Sequence, residues 1–481
     1  MLKRLLPLAF LLLAAPALAQ QEQVEAALAA APQGTRFGLL VVDDTGREVV
    51  AIAPDQRFIP ASNTKLFTSA AAYAVLPGID RPDPVGGSAV SLQPGKGSAP
   101  PDVWLMGRGD ARMSSAADCK ANCLAELADR VAATTRRVRD VVGDDSFWPD
   151  QRWSPGMSWN NIGTDSGTAV AALNLDDNEL AVVVKPGAAG KRPVVEISPY
   201  FKLRNEAVTV VSWRTSTLAL ERPVNGMELR LSGEIPADAK DWRERIGLDD
   251  PAHYAAWKFR RMLESRGVKV TGKVRVNHRP VQADDKPHQP GVLGTPIHVG
   301  FPAFASLTPP PLAEDVVTIN KTSQNLHAEA LLRRIGDRRG TGSREWGTAA
   351  LKEFLEKAGI PRAGYDFSDG SGMSTYNRLS PRAVVALLRW VTTQPWGEQW
   401  YASLPIAGVD GTLKRRFIGT PLAGNLAAKT GSLNASNALS GRFRAKSGRM
   451  LTFALFANDV PDGASALAAM DAALLVLAAA N

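Results

Sequence analysis

The sequence contains few of the residues that build metal and redox centres. Its 481 residues include two cysteines and five histidines. Because no two histidines have the spacing of metal ligands, we predict no metal site, and we expect no cofactor. The two cysteines, Cys119 and Cys123, share the short segment DCKANC. Export to an oxidising compartment would allow a local disulfide, and the sequence leaves that pairing open.

The sequence also lacks a hydrophobic run long enough to span a membrane comfortably. The apolar run Leu5–Ala15 follows Lys3 and Arg4 and precedes the tripeptide ALA at 17–19. This layout predicts a secretory signal peptide over residues 1–19, and the alternative is an uncleaved N-terminal anchor. We therefore expect an exported protein with at most peripheral membrane association.

Charge of one sign is not concentrated anywhere along the chain. The formal net charge of +8 is spread over the sequence without a dense basic tract. This distribution argues against nucleic acid as a partner and favours weak attraction to an anionic surface, such as the cell wall or membrane headgroups. With 45% hydrophobic and 22% charged residues, the composition allows a large globular core.

Strand-like segments occur at both ends of the chain, with a β-rich stretch between them. Residues 36–54 predict two strands joined by an Asp-Thr-Gly turn, and three further strand-like segments lie near the C-terminus. Stretches rich in Pro and Gly, at 77–100 and 279–296, separate the two ends from the middle. We predict an α/β (α+β) fold in which both ends build one antiparallel sheet flanked by helices. The predicted boundaries are 20–78 and 300–481 for this discontinuous domain and 79–299 for an insertion of two nested domains.

The segment PASNTKLFTSAAAY places Ser62 and Lys65 one helical turn apart. Both side chains can then point the same way, close to helix N-terminal N–H groups that favour negative charge. A serine hydroxyl becomes a strong nucleophile when a base removes its proton, and lysine can be that base only in its neutral form. Burial and a second cation both lower a lysine pKa. Alone, this pattern is also that of a solvated helix start.

Two further motifs favour the catalytic interpretation. The tripeptide SQN at 323–325 precedes a predicted helix, and KTG at 429–431 lies on a predicted strand. The order Ser-x-x-Lys, Ser-x-Asn and Lys-Thr-Gly is that of β-lactamases and penicillin-binding proteins. Three motifs in this order are far more specific than any one of them.

Each side chain in these motifs suits one step of acyl transfer. Ser323 can relay a proton, and Asn325 can hydrogen-bond a substrate amide. Lys429 supplies a second cation that helps to keep Lys65 neutral. Together with Thr430, Lys429 also suits a terminal carboxylate of the substrate.

Backbone groups complete the predicted site. Gly431 has no side chain, so a substrate backbone can approach the strand closely. The N–H groups of Ser62 and Ser432 are candidates for an oxyanion hole, in which each donor contributes about 10²–10³-fold in rate.

Longer blocks carry a resemblance to a known family. They are PASNTKLFTSAAAY, NKTSQNLHAEALLRRIG, DGSGMSTYNRLSP, LPIAGVDGTLKRRF, AAKTGSLNASNALSGRF and, more weakly, VGDDSFW. With these blocks the chain resembles the D-alanyl-D-alanine carboxypeptidase/endopeptidases, which are class C low-molecular-mass penicillin-binding proteins. The resemblance implies a transpeptidase/β-lactamase-like domain with further domains inserted between the first two motifs. It also implies a periplasmic serine hydrolase that cleaves peptidoglycan stem peptides and D-Ala–diaminopimelate cross-links, with β-lactams as covalent inhibitors.

The resemblance assigns site residues position by position. The catalytic residues would be Ser62, Lys65, Ser323 and Asn325, and the substrate-binding residues Lys429, Thr430 and Gly431, next to the oxyanion donor Ser432. The chain departs from the family at Gln324, where Asp is common, and in the blocks at 107–113 and 164–173. The loops at 369–372 and 408–412 fit either a substrate contact or a plain turn. His327 fits a packed helix residue better than a base.

Two other functions stay open on the sequence. A β-lactamase-like hydrolase would use similar residues but needs rapid deacylation, and the chain lacks the Glu-x-x-Leu-Asn run that resembles class A enzymes. A non-enzymatic wall-binding protein with a relic site would not need three intact motifs.

Overall fold

The computed structural model of the protein describes residues 20–287, 300–338 and 340–481. The predicted signal peptide lies outside these residues. The chain divides into two compact units. The terminal unit contains the residues up to Pro77 together with Ala313–Ile335 and Thr348–Asn481, and the middle unit contains Gly78–Leu312 and Gly336–Gly347.

A five-stranded antiparallel sheet forms the centre of the terminal unit. Residues from the two ends of the chain are neighbours in it, as the pairing of Leu40 with Ala454 shows. This arrangement confirms the sheet predicted from the two chain ends. The strands are β1 (Arg36–Val42), β2 (Glu48–Ile52), β3 (Ala427–Leu433), β4 (Ser436–Arg444) and β5 (Met450–Asn458), in the order β2-β1-β5-β4-β3.

Helices cover both faces of this sheet. Every residue of β5 after Met450 is buried, so neither face of that strand meets solvent. The helices that lie wholly or mostly in this unit are α1 (Thr64–Val75), α2 (Leu312–Lys321), α3 (Asn325–Asp337), α4 (Arg344–Lys357), α5 (Pro381–Thr392), α6 (Gly397–Ala402) and α7 (Leu467–Ala480). A further helix covers residues 20–28, and the short strands Tyr365–Asp366 and Arg378–Leu379 pair with each other.

Local sequence explains two of these helices. The apolar helix α7 contributes Leu474 and Leu477 to the same hydrophobic core as Leu455 of β5. Helix α5 begins after Ser380, whose hydroxyl accepts a hydrogen bond from the Ala383 N–H at 3.2 Å. Serine in this position with proline directly after it is a typical helix start.

The middle unit contains a mixed five-stranded sheet. The helices Leu124–Thr134 and Pro251–Ser265 contribute Leu127, Val131 and Phe259 to its core. The sheet order is Val274–Arg279, Val141–Pro149, Asp102–Met106, Ala89–Gln93 and Ala305–Ser306. Two smaller sheets have three strands each. One contains Trp242–Gly247, Glu179–Lys185 and Val194–Ile197, and the other contains Ala219–Glu221, Glu228–Ser232 and Lys202–Asn205. Two further strand pairs are Val208–Val210 with Glu234–Pro236 and Arg137–Val138 with Lys269–Val270.

The middle unit extends beyond residue 299. Ala305 pairs with Val90 in the sheet, and the Thr341 and Ser343 hydroxyls donate to the side chain and the carbonyl of Asp285. These bonds join segments to the middle unit that the predicted boundaries placed with the chain ends. The division of the insertion into two nested domains stays a prediction.

Cys119 and Cys123 form a disulfide in the middle unit. Cys123 is the residue just before the helix Leu124–Thr134, so the bond lies at a helix start. The structure thus decides between the two alternatives that the sequence left open. Across the described parts of the chain, none of the helices combines the length and the apolar character that a membrane crossing requires.

Candidate active site

The Ser62–Lys65 pair lies at the start of α1. Ser62 belongs to the turn Ala61–Asn63 and is partly exposed, whereas Lys65 is fully buried in the first turn of the helix. The turn is strained, because Ala61 has a φ of +47°, which residues with a Cβ rarely adopt. The Asn63 side chain donates to the Lys429 carbonyl at 3.0 Å and so attaches the turn to β3.

The Lys65 amine lies within hydrogen-bond distance of three oxygen atoms. Its Nζ is 2.9 Å from Ser62 Oγ, 2.6 Å from Asn325 Oδ1 and 2.6 Å from the Ser371 carbonyl oxygen. All three oxygens belong to neutral groups. The buried amine therefore has hydrogen-bond partners without the full negative charge that would hold it protonated.

Burial changes the ionisation of both buried lysines. It lowers the pKa of Lys65 to about 7, and the carboxylates of Asp369 and Glu329 offset part of that shift. The pKa of Lys429 lies well below its ordinary value because of burial and of repulsion by Lys65. Burial is the main cause of the lowered pKa of each lysine, and repulsion by Lys65 is the second cause for Lys429. Neutral Lys65 is accordingly accessible near pH 7, as a general base requires.

Ser323 and Asn325 lie at the turn that opens α3. Ser323 has a φ of +64° and is partly exposed, and its Oγ accepts a hydrogen bond from Lys429 Nζ at 2.9 Å. Asn325 is the first residue of α3. Between them, Gln324 Oε1 accepts from the Leu326 N–H at 2.8 Å. The residue that departs from the family pattern therefore satisfies one of the free N–H groups at the helix start.

The KTG motif lies on β3, the last strand in the sheet order. Lys429 is fully buried, Thr430 is partly exposed and Ser432 is exposed. A Cβ at Gly431 would lie 2.7 Å from the Pro60 carbonyl oxygen. A side chain at this position would therefore clash with the backbone of Pro60, which precedes the turn that contains Ser62. The sequence alone did not reveal this reason for the glycine.

The loop at 408–412 contributes one side chain to the strand motif. The Thr412 hydroxyl lies 2.7 Å from the Thr430 hydroxyl and is exposed. In the same loop, Asp410 pairs with Lys321 at 2.6 Å and accepts from the Ile406 N–H at 2.9 Å. Asp410 therefore stabilises the loop, and Thr412 extends the row of hydroxyl groups next to Lys429.

Two buried carboxylates hold the turn that faces Lys65. Glu329 Oε1 accepts from the N–H groups of Gly370 and Ser371, both at 2.9 Å. Asp369 accepts from the N–H groups of Gly372 and Ser374 and from the Asn377 amide, and burial followed by the nearby Glu329 raises its pKa to about 6. These bonds fix the Ser371 carbonyl that Lys65 contacts.

Sequence reasoning missed Glu329 and left open whether the loop at 369–372, which contains Ser371, contacts the site. Glu329 lies one helical turn after Asn325 in α3, so its spacing from the SQN motif was a signal that could have identified it. His327, in the same helix, has its Nδ1 2.7 Å from Asp315 Oδ1 and is buried. The structure brings all eight predicted site residues into the terminal unit: Ser62, Lys65, Ser323, Asn325, Lys429, Thr430, Gly431 and Ser432.

The site contains two pairs of a partly exposed serine hydroxyl and a buried lysine amine. They are Ser62 with Lys65 and Ser323 with Lys429. Among the described residues, no group of three or more His, Cys, Asp or Glu side chains is arranged to hold a metal ion. Such a site suits covalent acyl transfer by serine. The family model of the D-Ala-D-Ala carboxypeptidase 3 (S13) family matches residues 20–480. The chain belongs to this family.

Individual members of the S13 family and their structures agree with this assignment. A D-alanyl-D-alanine carboxypeptidase of Actinomadura sp. (strain R39) is 34% identical over 502 residues, covering 98% of this chain and 88% of the relative. The crystal structure of penicillin-binding protein 4 (DacB) from Haemophilus influenzae matches with a TM-score of 0.76 at 22% identity, over 94% of this chain and 98% of that one. A structure of the same Haemophilus protein complexed with a novel β-lactam matches with a TM-score of 0.71 at 21% identity, over 94% and 98% of the two chains.

These matches confirm the predicted family, fold class and enzyme class. The terminal and middle units together have the fold of a penicillin-binding protein. As an S13 family member, the chain is a serine-type D-Ala-D-Ala carboxypeptidase.

Proposed function

We propose that the chain is a periplasmic enzyme that cleaves the D-Ala-D-Ala ends and the D-Ala–diaminopimelate cross-links of peptidoglycan through an acyl-enzyme on Ser62. One observation carries the proposal. The fully buried Lys65 amine lies 2.9 Å from the Ser62 hydroxyl, and its other two contacts are neutral oxygen atoms.

Those contacts orient the lone pair of Lys65. A neutral amine has two N–H bonds and one lone pair. Asn325 Oδ1 and the Ser371 carbonyl can accept the two N–H bonds, because an amide oxygen and a carbonyl oxygen donate no proton. The lone pair is then left for the proton of the Ser62 hydroxyl. Lys65 is in this way prepared as the general base before substrate binds.

The first step forms the acyl-enzyme. Lys65 takes the proton of Ser62, and Ser62 Oγ attacks the carbonyl carbon between the last two D-alanines. The backbone N–H groups of Ser62 and Ser432 stabilise the negative charge on the tetrahedral oxyanion. Collapse of this intermediate breaks the C–N bond.

The second serine and lysine act on the leaving group. Ser323 Oγ accepts from Lys429 Nζ, so its own proton is free to be donated to the departing amine. The proton that Lys65 took from Ser62 replaces the one that Ser323 gives up, so both Lys65 and Ser323 return to their starting states when D-Ala leaves. Water then hydrolyses the ester. Lys429 and the hydroxyl of Thr430 bind the terminal carboxylate of the substrate.

The endopeptidase reaction uses the same steps with a larger leaving amine. β-Lactams would acylate Ser62 in the same manner, as the β-lactam complex of the Haemophilus relative suggests for this chain. Export to the periplasm is supported by the predicted signal peptide and by the peptidoglycan substrate that the family name implies.

The test combines labelling by a fluorescent penicillin with release of D-Ala from a stem pentapeptide. Ser62→Ala should lose both, whereas the exposed Ser465→Ala in the same unit should keep both. Covalent labelling of Ser62→Ala would place the nucleophile elsewhere. Rapid turnover of nitrocefin without D-Ala release would favour a β-lactamase, and neither activity in the unmodified chain would favour a relic site.

A further inference from the structure

The middle unit contains a large open groove of about 920 Å³. The turn Trp159–Asn161 and the loop that follows it form one wall, and the strands Ala219–Glu221, Glu228–Ser232 and Trp242–Gly247 contribute to the rest. Its size is at the upper end of the range of about 300–1,000 Å³ for small-molecule sites, so it can hold a ligand of several linked rings.

Two tryptophans give this groove apolar surfaces. Trp159 is 78% exposed, and Trp242 is half-buried against the core of the unit. A tryptophan as exposed as Trp159 contributes little to folding, since its ring gains almost nothing from burial. Exposed tryptophan in a concave site is instead typical of a surface that binds a partner. Asn160 and Asn161, on the same turn, also line the groove and contribute amide donors and acceptors.

The charges along the groove are close to balanced, and its arginines form ion pairs within the protein. Four acidic residues and three arginines line it, namely Asp165, Glu221, Glu228, Glu244, Arg222, Arg230 and Arg245. Each arginine has an ion-pair partner: Arg222 pairs with Asp249 at 2.5 Å, Arg245 with Glu179 at 2.9 Å, and Arg230 with Glu206 at 2.7 Å. A phosphate or a polyanion would have to break these pairs, so the groove suits an uncharged ligand.

We propose that this groove binds an uncharged oligosaccharide of N-acetylated hexosamines, the chemistry of the glycan strand of peptidoglycan. The C–H face of a pyranose ring fits an exposed indole, and hydroxyl and acetamido groups fit the paired donors and acceptors of asparagine. The choice of a cell-wall glycan, rather than another neutral sugar, rests on the proposed function. The groove would then hold the polymer whose peptides the serine site cleaves.

The test measures binding of the soluble tetramer of N-acetylglucosamine to the mature full-length chain by calorimetry. Every variant also carries Ser62→Ala, so that binding is measured without catalysis. A failure of the groove to bind the tetramer can then be distinguished from a failure of the proposed reaction at Ser62. We expect saturable binding, and we expect Trp159→Ala to raise the Kd by about tenfold, as the loss of one stacked ring would. Asn161→Ala should also weaken binding.

The matched control is Trp213→Ala. Trp213 is 80% exposed in the same unit and does not line the groove, so this variant should bind like the parent. The tetramer of glucose, which lacks the acetamido groups, should bind more weakly than the N-acetylated tetramer. Thermal melting of each variant identifies any loss of folding. The proposal is overturned if the N-acetylated tetramer does not bind to the folded parent, or if Trp213→Ala weakens binding as much as Trp159→Ala.

Discussion

Two basic side chains, one in each unit, have pKa values that their surroundings shift in opposite directions. In the terminal unit, Lys65 contacts only neutral oxygens in its hydrogen bonds, and burial lowers its pKa to about 7. In the middle unit, His278 lies between Asp145 at 2.8 Å and Asp250 at 3.2 Å, and these carboxylates raise its pKa to about 10. A base with charged partners stabilises the fold, whereas a buried one with neutral partners can give up its proton and react.

The largest effect should come from removing Lys65, the proposed base. Lys65→Met keeps a similar volume without the amine, so the fold should be retained while acylation by a fluorescent penicillin slows by about 10²–10⁴-fold. The exposed Lys446→Met in the same unit is the control and should acylate at the parent rate. Rates are compared as second-order acylation constants, and an unchanged constant for Lys65→Met would remove Lys65 from the mechanism.

The matching experiment in the middle unit changes stability and not chemistry. His278→Gln leaves the buried Asp145 without its cation, whereas the partly exposed Asp250 keeps Arg152 at 3.6 Å. Unfolding should therefore become easier by about 2 kcal/mol at pH 6, as measured by urea denaturation. Acylation of the folded variant should keep the parent rate. A variant as stable as the parent would show that the His278 pairs contribute nothing.

The pH dependence of that stability has a defined sign. Because the folded-state pKa of His278 is raised, its contribution is fully present below the unfolded value of 6.5 and is lost as the pH rises towards about 10. The difference in stability between the parent and His278→Gln should therefore shrink over this window. A difference that stays constant from pH 6 to pH 10 would contradict the assignment.

A smaller effect should follow from the carboxylates behind Lys65. Asp369 and Glu329 raise the pKa of Lys65 against the effect of burial, and Arg333 pairs with Glu329 at 2.9 Å. Glu329→Gln keeps an oxygen for the Gly370 and Ser371 N–H groups but removes a charge that raises the Lys65 pKa.

The acylation rate of the parent should rise with pH through about 7, and in Glu329→Gln the same rise should occur at lower pH. The exposed Glu398→Gln, in the same unit, is the control and should leave the profile in place. If Glu329→Gln only lowers the rate without moving the profile, the carboxylate has a structural effect alone.

The smallest effect concerns substrate binding. Thr412→Val removes the hydroxyl next to Thr430, and loss of one hydrogen bond of about 1 kcal/mol should raise the KM for the pentapeptide by about fivefold with little change in kcat. Thr420→Val, in the loop that follows, is the control. A fall in kcat at constant KM would give Thr412 a part in the chemical step.

The sequence predicted the parts of this protein that depend on local pattern. The terminal sheet could be predicted because β1 and β5 are largely apolar segments. The closeness of Ser62 and Lys65 could be predicted because one helical turn fixes their separation. The partners of Lys65 were harder to predict. The Ser371 carbonyl carries no side-chain signal, and its position depends on a turn held by Glu329 from another helix.

Other features depend on contacts between segments that are distant in the chain. Gly431 is explained by the approach of Pro60, and Ala305 belongs to a sheet whose neighbouring strand lies far upstream. The segment DCKANC allowed either a disulfide or free thiols, because a short separation permits both. In the folded chain, the backbone before the helix Leu124–Thr134 brings the two cysteines together, and they form the disulfide.

The ionisation state of Lys65 is the most direct test of the account. Carbon-13 labelling of the lysine Cε atoms allows each amine to be titrated by NMR, and Lys65→Met identifies the resonance. We predict that this resonance titrates near pH 7 in the folded enzyme. If it titrates above pH 10, as exposed lysines do, Lys65 is charged at neutral pH and cannot be the base that activates Ser62.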